Sequence, residues 1–417
     1  MSKFIEIHAL QWFPLSCINR DDAGMPKRMM LAGELRDRWS SQSQKYALRK
    51  AFSKYLDAEN LCIKTRRLAL MTVDELSARG RSEQEAAART TAIMFALGFN
   101  MNTTEEAKKE AEEQGEVAVE EDVQDTNTFG KVLTGRTQVI IPIPQAGPGL
   151  LADAVEKHWD VLADVVDLAK IKSGKVKDAK VPAAVVKTVL ADAKKAIDSD
   201  RLVDVAMFGR MLTEIPSETV EAASSVAHAF TVHASEYTSE FWSAVDDDAA
   251  SQGHGGSANM GIQGLNTGCF YRYAAVDLDT LREGPLADDE ALVQEAVAAF
   301  LKAFATLRPR AMIHGTAPFV DPSFVGVSVS NTPRSLADAF VRPVLDGDAG
   351  YLSDAAVRLM ATWEATDNAY GVKRESFILS AHPDVEVGEI VSTMDSATEY
   401  STLADLVRAA TEAAFRE

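Results

Sequence analysis

The sequence has few cysteines and no long apolar run. Only three of its 417 residues are cysteines, Cys17, Cys62 and Cys269, and no two of them form a Cys-x-x-Cys pair. Three widely separated cysteines favour reduced thiols in a cytoplasmic protein over a disulfide framework. There is no stretch of 18 apolar residues, and the first residues lack the apolar core and cleavage site of a secretory signal. We therefore predict no membrane-spanning segment and no membrane partner.

Common nucleotide-binding and metal-binding motifs are also missing. No glycine-rich loop has Walker or Rossmann spacing. His228 and His233 are five residues apart, which does not place them on one helical face, and no third ligand is evident. We therefore predict no metal site and no cofactor. Asp21, Asp22 and Asp37 are candidates for a metal in nuclease chemistry, but we favour their pairing with neighbouring arginines.

What the sequence does contain is a concentration of positive charge near its beginning. The whole chain has a net charge of −19, yet residues 20–67 contain twelve Lys and Arg against six Asp and Glu. A basic stripe on an acidic protein is typical of a protein that binds a polyanion at one place. The composition, 46% hydrophobic and 25% charged, is that of a globular chain long enough for two or three domains.

A helix is predicted over residues 40–56, inside the basic stretch. Ser40 or Ser41 suits its N-cap, while Gln42, Arg49 and Lys50 fall opposite an apolar arc, with Lys45 at the border between the faces. The N-terminus of a helix attracts anions through its free N–H groups and its dipole. Hydroxyls there, followed by cations one and two turns later, suit a phosphodiester backbone. The alternative is a solvated basic face.

Other segments complete an α+β pattern. Strands are predicted at 4–10, at 204–208 before a Gly209-Arg210-Met211 turn, at 269–276 and at 324–329, with an amphipathic helix at 292–304. The region 57–206 is alanine-rich and helical, with an acidic run at 105–125, and the glycine-rich stretch 253–268 suits a β-hairpin or flap. Without the insertions, the order strand, helix, strand, strand, helix, strand predicts a ferredoxin-like or RRM-like fold, with further helices finishing the chain. That fold serves both RNA binders and enzymes.

Several short motifs, in order, resemble the backbone subunit of the type I-E CRISPR Cascade complex, the CasC family. The resemblance covers nearly the whole chain except about 57–200. It is carried by the following blocks: Asn19-Arg20-Asp21-Asp22, Lys27, Arg36-x-Arg38-x-Ser40-Ser41-Gln42-Ser43-x-Lys45, Arg49-Lys50, Gly209-Arg210-Met211, Ser225-x-Ala227-His228-Ala229, Trp242-x-Ala244-Val245-Asp246-Asp247, Phe270-Tyr271-Arg272-Tyr273-Ala274 and residues 368–371.

This resemblance implies a non-catalytic protein shaped like a right hand. An RRM-like palm would comprise residues 1–57, 205–237 and 268–417, with helical fingers at 58–204 and a β-hairpin thumb at 238–267. About six copies would stack along one CRISPR RNA, beside large, small and guide-capping Cascade subunits, and present the guide to target DNA. The implied RNA-binding residues are Arg20, Lys27, Ser40, Gln42, Lys45, Arg49, Lys50, Met211, Phe241 and Trp242.

The sequence departs from the family pattern at two places and leaves alternatives open. The aromatic pair Phe241-Trp242 has the reverse order, and Tyr46 stands where a basic residue is expected. Core packing is the alternative role for Met211, Phe241 and Trp242. Five lysines form a candidate site for target DNA, with a solvated surface as the alternative: Lys170, Lys172, Lys175, Lys177 and Lys180. An RNA-cleaving nuclease of related fold is the rival function, and a metabolic enzyme of ferredoxin-like fold is a third.

Overall fold

The computed structural model describes residues 3–113, 128–130, 132–169, 181–212, 214–246, 257–345, 347, 350–394 and 396–416. The chain divides into two compact units. The first unit consists of Met1–Leu56 and Ala223–Glu417, and the second unit of Asp57–Ala222. The second unit is therefore an insertion into the first, and it extends beyond residue 204, where the sequence predicted the insertion to end.

The strands and helices mix along the chain. The strands are β1 (Phe4–Ser16), β2 (Arg28–Leu31), β3 (Glu34–Trp39), β4 (Ile63–Thr65), β5 (Met101–Thr103), β6 (Leu133–Thr137), β7 (Ile141–Ile143), β8 (Ser224–Val226), β9 (Ala229–Thr231), β10 (Glu236–Val245), β11 (Ser257–Asp277), β12 (Phe324–Ser330), β13 (Glu375–Ser380) and β14 (Ala397–Tyr400). The helices are α1 (Ser41–Ala51), α2 (Leu68–Ala78), α3 (Glu83–Leu97), α4 (Thr104–Glu113), α5 (Gly147–Lys157), α6 (Ala183–Lys194), α7 (Val203–Phe208), α8 (Leu278–Glu283), α9 (Glu290–Ala305), α10 (Ile313–Thr316), α11 (Gly350–Tyr370), α12 (Gly388–Thr393) and α13 (Leu403–Phe415). The predicted α+β class is confirmed.

The first unit is built on one ten-stranded sheet. Its strand order is β14-β13-β12-β1-β11-β9-β3-β2, with β8 and β10 also paired to β11. All neighbouring strands are antiparallel except β13 and β14. The central strand β1 is buried on both faces over residues 5–11. Helices cover both faces, because α9 and α13 pack against β1 on one side and α11 closes the core on the other.

The second unit has its own helical core. Helices α2, α3, α5 and α6 pack together around side chains such as Leu68, Ile93 and Leu151, which are completely buried. Two small antiparallel sheets, β4 with β7 and β5 with β6, accompany them. Part of the acidic run lies in α4, and the remainder lies outside the described residues. In the described part of the chain, no helix has the length and apolar character needed to cross a bilayer.

Most predicted elements of the first unit are confirmed. The strands and α9 are longer than predicted, whereas the helix predicted over 40–56 ends at Ala51 and is followed by a short 3-10 turn at Phe52–Lys54. The strand predicted over 204–208 is wrong, because those residues lie in helix α7. Residues 203–207 are all buried, and a short, mostly apolar run does not distinguish a buried strand from a buried helix. The side chain of Asp204, which accepts from the backbone N–H and Sγ of Cys62 at 2.9 Å, fixes the helix in place. Strands β13 and β14 were missed near the end of the chain.

Candidate nucleic-acid interface

The N-terminus of α1 is capped from two directions. Ser40 has extended backbone angles, and its Oγ accepts a hydrogen bond from the N–H of Ser43 at 3.3 Å. The N–H of Ser41 donates to Nδ1 of His228 at 3.3 Å. Of the first three amides of the helix, only that of Gln42 has no hydrogen-bond partner among the described residues. The helix terminus therefore offers one backbone donor to an anion, next to the exposed Gln42 side chain.

The cations of α1 are arranged along its solvent side. Lys50 is exposed, and Lys45 and Arg49 are half-buried. Burial lowers the pKa of Lys45. Tyr46 is 52% exposed on the same helix, and the guanidinium of Arg310 lies 5.5 Å from the centre of its ring. A cation from a distant loop thus lies beside the position where the family pattern suggested a basic residue, and no local sequence pattern indicates this contact.

The loop before β2 places two further cations beside the start of α1. Oδ1 of Asn19 accepts from the N–H of Ser40 at 2.9 Å, and the N–H of Lys27 donates to the carbonyl of Asn19 at 2.8 Å. Arg20 is exposed and Lys27 is half-buried. Oδ1 of Asp21 accepts from two backbone N–H groups of its own loop, at 2.9 and 3.0 Å. Asp21 therefore closes the loop instead of pairing with an arginine.

Asp37 and Arg36 also have other roles than expected. Oδ1 of Asp37 accepts from Oγ of Ser235 at 2.7 Å, and burial raises the pKa of this carboxyl group. Arg36 is completely buried and donates to the carbonyls of Thr231 and Phe340. It contributes nothing to an exposed basic stripe. Towards the end of that stripe, Arg66 lies in the second unit and pairs with Glu110 at 2.9 Å.

A buried glutamine fixes α1 from beneath. Nε2 of Gln44 donates to the carbonyls of Trp39 and Ala227, at 3.2 and 3.0 Å. Its Oε1 accepts from Nε of Arg272 at 3.4 Å. The only sequence signal for this role is a polar residue close to an apolar helical arc. Because both ends of the Gln44 amide are held, the orientation of α1 on the sheet is fixed.

The hairpin of β10 and β11 carries exposed apolar side chains. Phe241 is paired with Ile262, and Ser243 with Met260; Phe241, Met260 and Ile262 therefore share one face and are 63–68% exposed. Trp242 is 46% exposed on the opposite face, and a Cβ on Gly261 would lie 2.9 Å from its ring. Core packing of Phe241 and Trp242 is therefore wrong within this chain. The hairpin tip, residues 247–256, lies outside the described residues.

The base of this hairpin contacts the loop before β2. The ring of Tyr237 lies under the guanidinium of Arg28, 4.2 Å from its centre. A side chain on Gly264 would meet both Tyr237 and Pro26 at 2.7 Å, so glycine is required for this close approach. The base of the hairpin and the basic loop are therefore in direct contact.

Met211 is displayed by a well-anchored turn in the second unit. Gly209 has a φ of +76°, and a Cβ there would lie 3.0 Å from the carbonyl oxygen of Val220. The buried side chain of Arg210 donates to the carbonyl of Glu218 and to Oγ of Ser199, and it pairs with Asp200 at 2.6 Å. Met211 itself is 79% exposed. Its alternative role as a core filler is wrong.

The remaining candidate residues are either buried or outside the described residues. His233 is buried, with Nδ1 bonded to the carbonyl of Ala234 and Nε2 accepting from the N–H of Cys269. Among the described residues, no group of three or more His, Cys, Asp and Glu is arranged to bind a metal ion. The five lysines of the candidate DNA site, within 170–180, lie outside the described residues.

The fold is similar to that of chains in known complexes. The chain is similar to a chain of a "CRISPR RNA-guided surveillance complex, pre-nicking", with 27% identity, a TM-score of 0.78, and coverage of 99% of this chain and 100% of the other. A chain of another "CRISPR RNA-guided surveillance complex" matches with 26% identity, a TM-score of 0.67, and coverage of 98% and 99%. The fold is thus one found in RNA-guided surveillance complexes.

The chain belongs to the CT1975-like protein family, whose model matches residues 5–409. The resemblance predicted from the sequence is thereby confirmed. No curated protein sequence matches the chain.

Proposed function

We propose that this chain is the non-catalytic CRISPR RNA-binding backbone subunit of a Cascade surveillance complex. The observation that carries the proposal is the surface formed by the loop before β2 and the start of α1. It joins Arg20 and Lys27 to Ser40, Gln42 and Lys45 through the hydrogen bonds of Asn19. Family membership and the likeness to chains of RNA-guided surveillance complexes support it.

The chemistry of this surface suits a guide of any sequence. Hydroxyl, amide and cationic groups bind phosphates and sugars, which carry no sequence information. Apolar and aromatic side chains contact base faces without reading base edges. In this proposal Arg49 and Lys50 extend the phosphate path along α1, and Met211, Phe241 and Trp242 contact bases where the guide bends.

The proposed architecture is an RRM-like palm with inserted fingers and a thumb. In the first unit the strands β12, β1, β11 and β9 are neighbours in that order, which supports the palm. The β10–β11 hairpin would be the thumb that reaches a neighbouring copy. Several copies, about six by family resemblance, would form a filament on one guide with the other Cascade subunits, and present it to target DNA in the cytoplasm.

The lysines at 170, 172, 175, 177 and 180 are proposed to contact target DNA. Weak contacts repeated along a filament multiply in effect. Replacing all five with glutamine should leave guide binding and assembly intact and weaken capture of duplex DNA between 50 and 200 mM salt, roughly the range in which phosphate contacts lose most affinity. Equal DNA affinity of both complexes would assign these lysines to a solvated surface.

The function is tested by expressing the chain with a guide RNA and the other Cascade subunits, and then by isolating the complex. We expect several copies of the chain on one protected guide, with the same affinity for guides of unrelated sequence. Incubation with labelled single-stranded RNA and Mg²⁺ should leave the RNA intact. Cleavage that persists in the purified protein would favour the rival nuclease.

A further inference from the structure

Two arginines are completely buried on opposite faces of the sheet in the first unit. Arg36, in β3, donates to the carbonyls of Thr231 and Phe340, beside the core closed by α11. Arg272, in β11, points to the other face, where it reaches α1 and α9. Both arginines are fully buried, but only Arg272 contacts α1. Comparing their variants therefore separates the effect of burying a charge from the effect of placing that charge beneath α1.

Arg272 donates only to neutral acceptors. Its Nη1 donates to Oε1 of Gln11 at 2.7 Å, its Nη2 to the carbonyl of Phe304 at 2.9 Å, and its Nε to Gln44. The guanidinium carbon lies 4.2 Å from the ring centre of Phe304 and 5.3 Å from that of Trp39. Within the described ranges, no carboxylate lies within 4.0 Å of it. Its charge therefore has no neutralising counterion among the residues that the structure describes.

A buried charge without a counterion opposes folding. Desolvation penalises the charged form, and burial lowers the pKa of Arg272 to about 9. An apolar side chain of similar size would avoid this penalty. The charge does have one property that a surface cation lacks: salt screens it weakly, because ions do not enter the protein interior. It lies directly beneath the helix that carries Lys45 and Arg49.

We propose that the buried charge of Arg272 adds positive potential that attracts a single-stranded phosphodiester backbone to α1. The proposal rests on the RNA-binding function proposed above. Its contact with Gln44 couples the guanidinium to the underside of the helix, so the charge stays at a fixed place beneath the phosphate path. The residue itself touches no phosphate.

Three variants separate charge from packing. Arg272→Met removes the charge, and Arg272→Lys keeps it with fewer donors. Arg36→Met removes the other buried guanidinium, on the face away from α1. Each purified variant is checked by thermal unfolding, and its affinity for an unstructured single-stranded RNA is measured across a salt series. If Arg272→Met does not fold, Arg272→Gln replaces it.

We expect Arg272→Met to weaken RNA binding by about tenfold, the effect of one charge acting over roughly 10 Å through protein. The slope of log affinity against log salt should stay unchanged, because a residue that contacts no phosphate releases no counterion. Arg272→Lys and Arg36→Met should stay within about twofold of the wild type, a difference well under 1 kcal/mol.

Equal losses in the Met and Lys variants of Arg272 would assign the effect to packing and overturn the proposal. A smaller salt slope in Arg272→Met would show a direct phosphate contact and would also overturn it. Failure of the proposed function looks different. In that case the wild type itself would show no salt-dependent RNA binding, and substitution of Lys45 and Arg49 would have no effect.

Discussion

The N–H of Ser41 donates to Nδ1 of His228, 187 residues away in sequence. Because Nδ1 accepts this bond, the neutral imidazole carries its proton on Nε2. Burial, then the charges of Arg38 and Lys27, lower the pKa of His228 and keep it neutral. A motif far along the chain thereby supplies a cap for the helix that begins at Ser41.

Loss of this cap should destabilise the first unit. We expect His228→Ala to lower the free energy of unfolding by about 1 kcal/mol, the usual effect of losing a helix cap. Urea unfolding followed by circular dichroism measures the change. His314→Ala, at another exposed histidine, is the control and should leave the midpoint unchanged. Equal midpoints for all three proteins would show that the Ser41–His228 bond contributes no stability.

The cations of α1 should control RNA affinity and its salt dependence. We expect the double variant Lys45→Ala and Arg49→Ala to bind RNA more weakly. The slope of log affinity against log salt concentration should become less steep by about 0.7 per lost phosphate contact. Filter binding or fluorescence anisotropy over a salt series measures both quantities. The control is the double alanine variant of Lys373 and Arg408, which are exposed cations elsewhere on the first unit. It changes the net charge by the same amount. An unchanged slope in the α1 variant would contradict our assignment.

The apolar face of the hairpin should serve assembly and not folding. Phe241 and Ile262 are paired and exposed, so replacing both with serine should leave the unfolding temperature of the monomer nearly unchanged. We expect shorter assemblies on RNA, measured by light scattering. Glu240→Ser, on the opposite face of the same strand, is the control. Assemblies of normal size from the double variant would remove this face from the proposed filament contact.

Neighbouring residues of the Gly209-Arg210-Met211 turn should respond differently to substitution. Met211 is exposed, so Met211→Gln should change RNA binding and leave stability within about 0.5 kcal/mol. Arg210→Met should destabilise the second unit by about 1–3 kcal/mol, because its removal leaves buried acceptors unpaired. Thermal unfolding and RNA titration of both variants separate the two roles. A large loss of stability in Met211→Gln would show that its side chain packs in the protein.

His8 should make the first unit sensitive to acid. Burial, with the charge of Arg374, lowers the pKa of this imidazole to about 3 from its ordinary 6.5. Between pH 6.5 and 3 the unfolded chain therefore binds a proton that the folded chain does not. Stability should fall by up to about 1.4 kcal/mol for each pH unit below 6.5. The free energy of unfolding of His8→Leu, measured between pH 7 and 5, should decline less steeply than that of the wild type. His314→Leu is the control and should behave like the wild type. Identical slopes in all three proteins would assign the acid sensitivity to other groups.

Local patterns in the sequence were enough for the elements with strong periodicity or caps. Ser40 was identified as a possible cap of α1, and the helical arc containing Ala47 and Leu48 is buried as predicted. The predicted amphipathic helix lies within α9. These features depend on neighbours within one or two helical turns, so the sequence alone contains the physical information. The short run at 204–208 has no such periodicity, because residues 203–207 are all buried and none marks a solvent-facing side.

The sequence by itself determined that a capped, cationic helix begins at about Ser40 or Ser41, and which of its residues lie opposite the apolar arc. Only the tertiary structure decided what holds that helix: His228 on its first amide, and Gln44 on Arg272 across 228 residues of sequence. It also decided that Arg36 is buried while Arg20 is exposed. The physical reason is that helix capping and periodicity are local, whereas burial and the pairing of polar groups depend on which distant strands the folded sheet brings together.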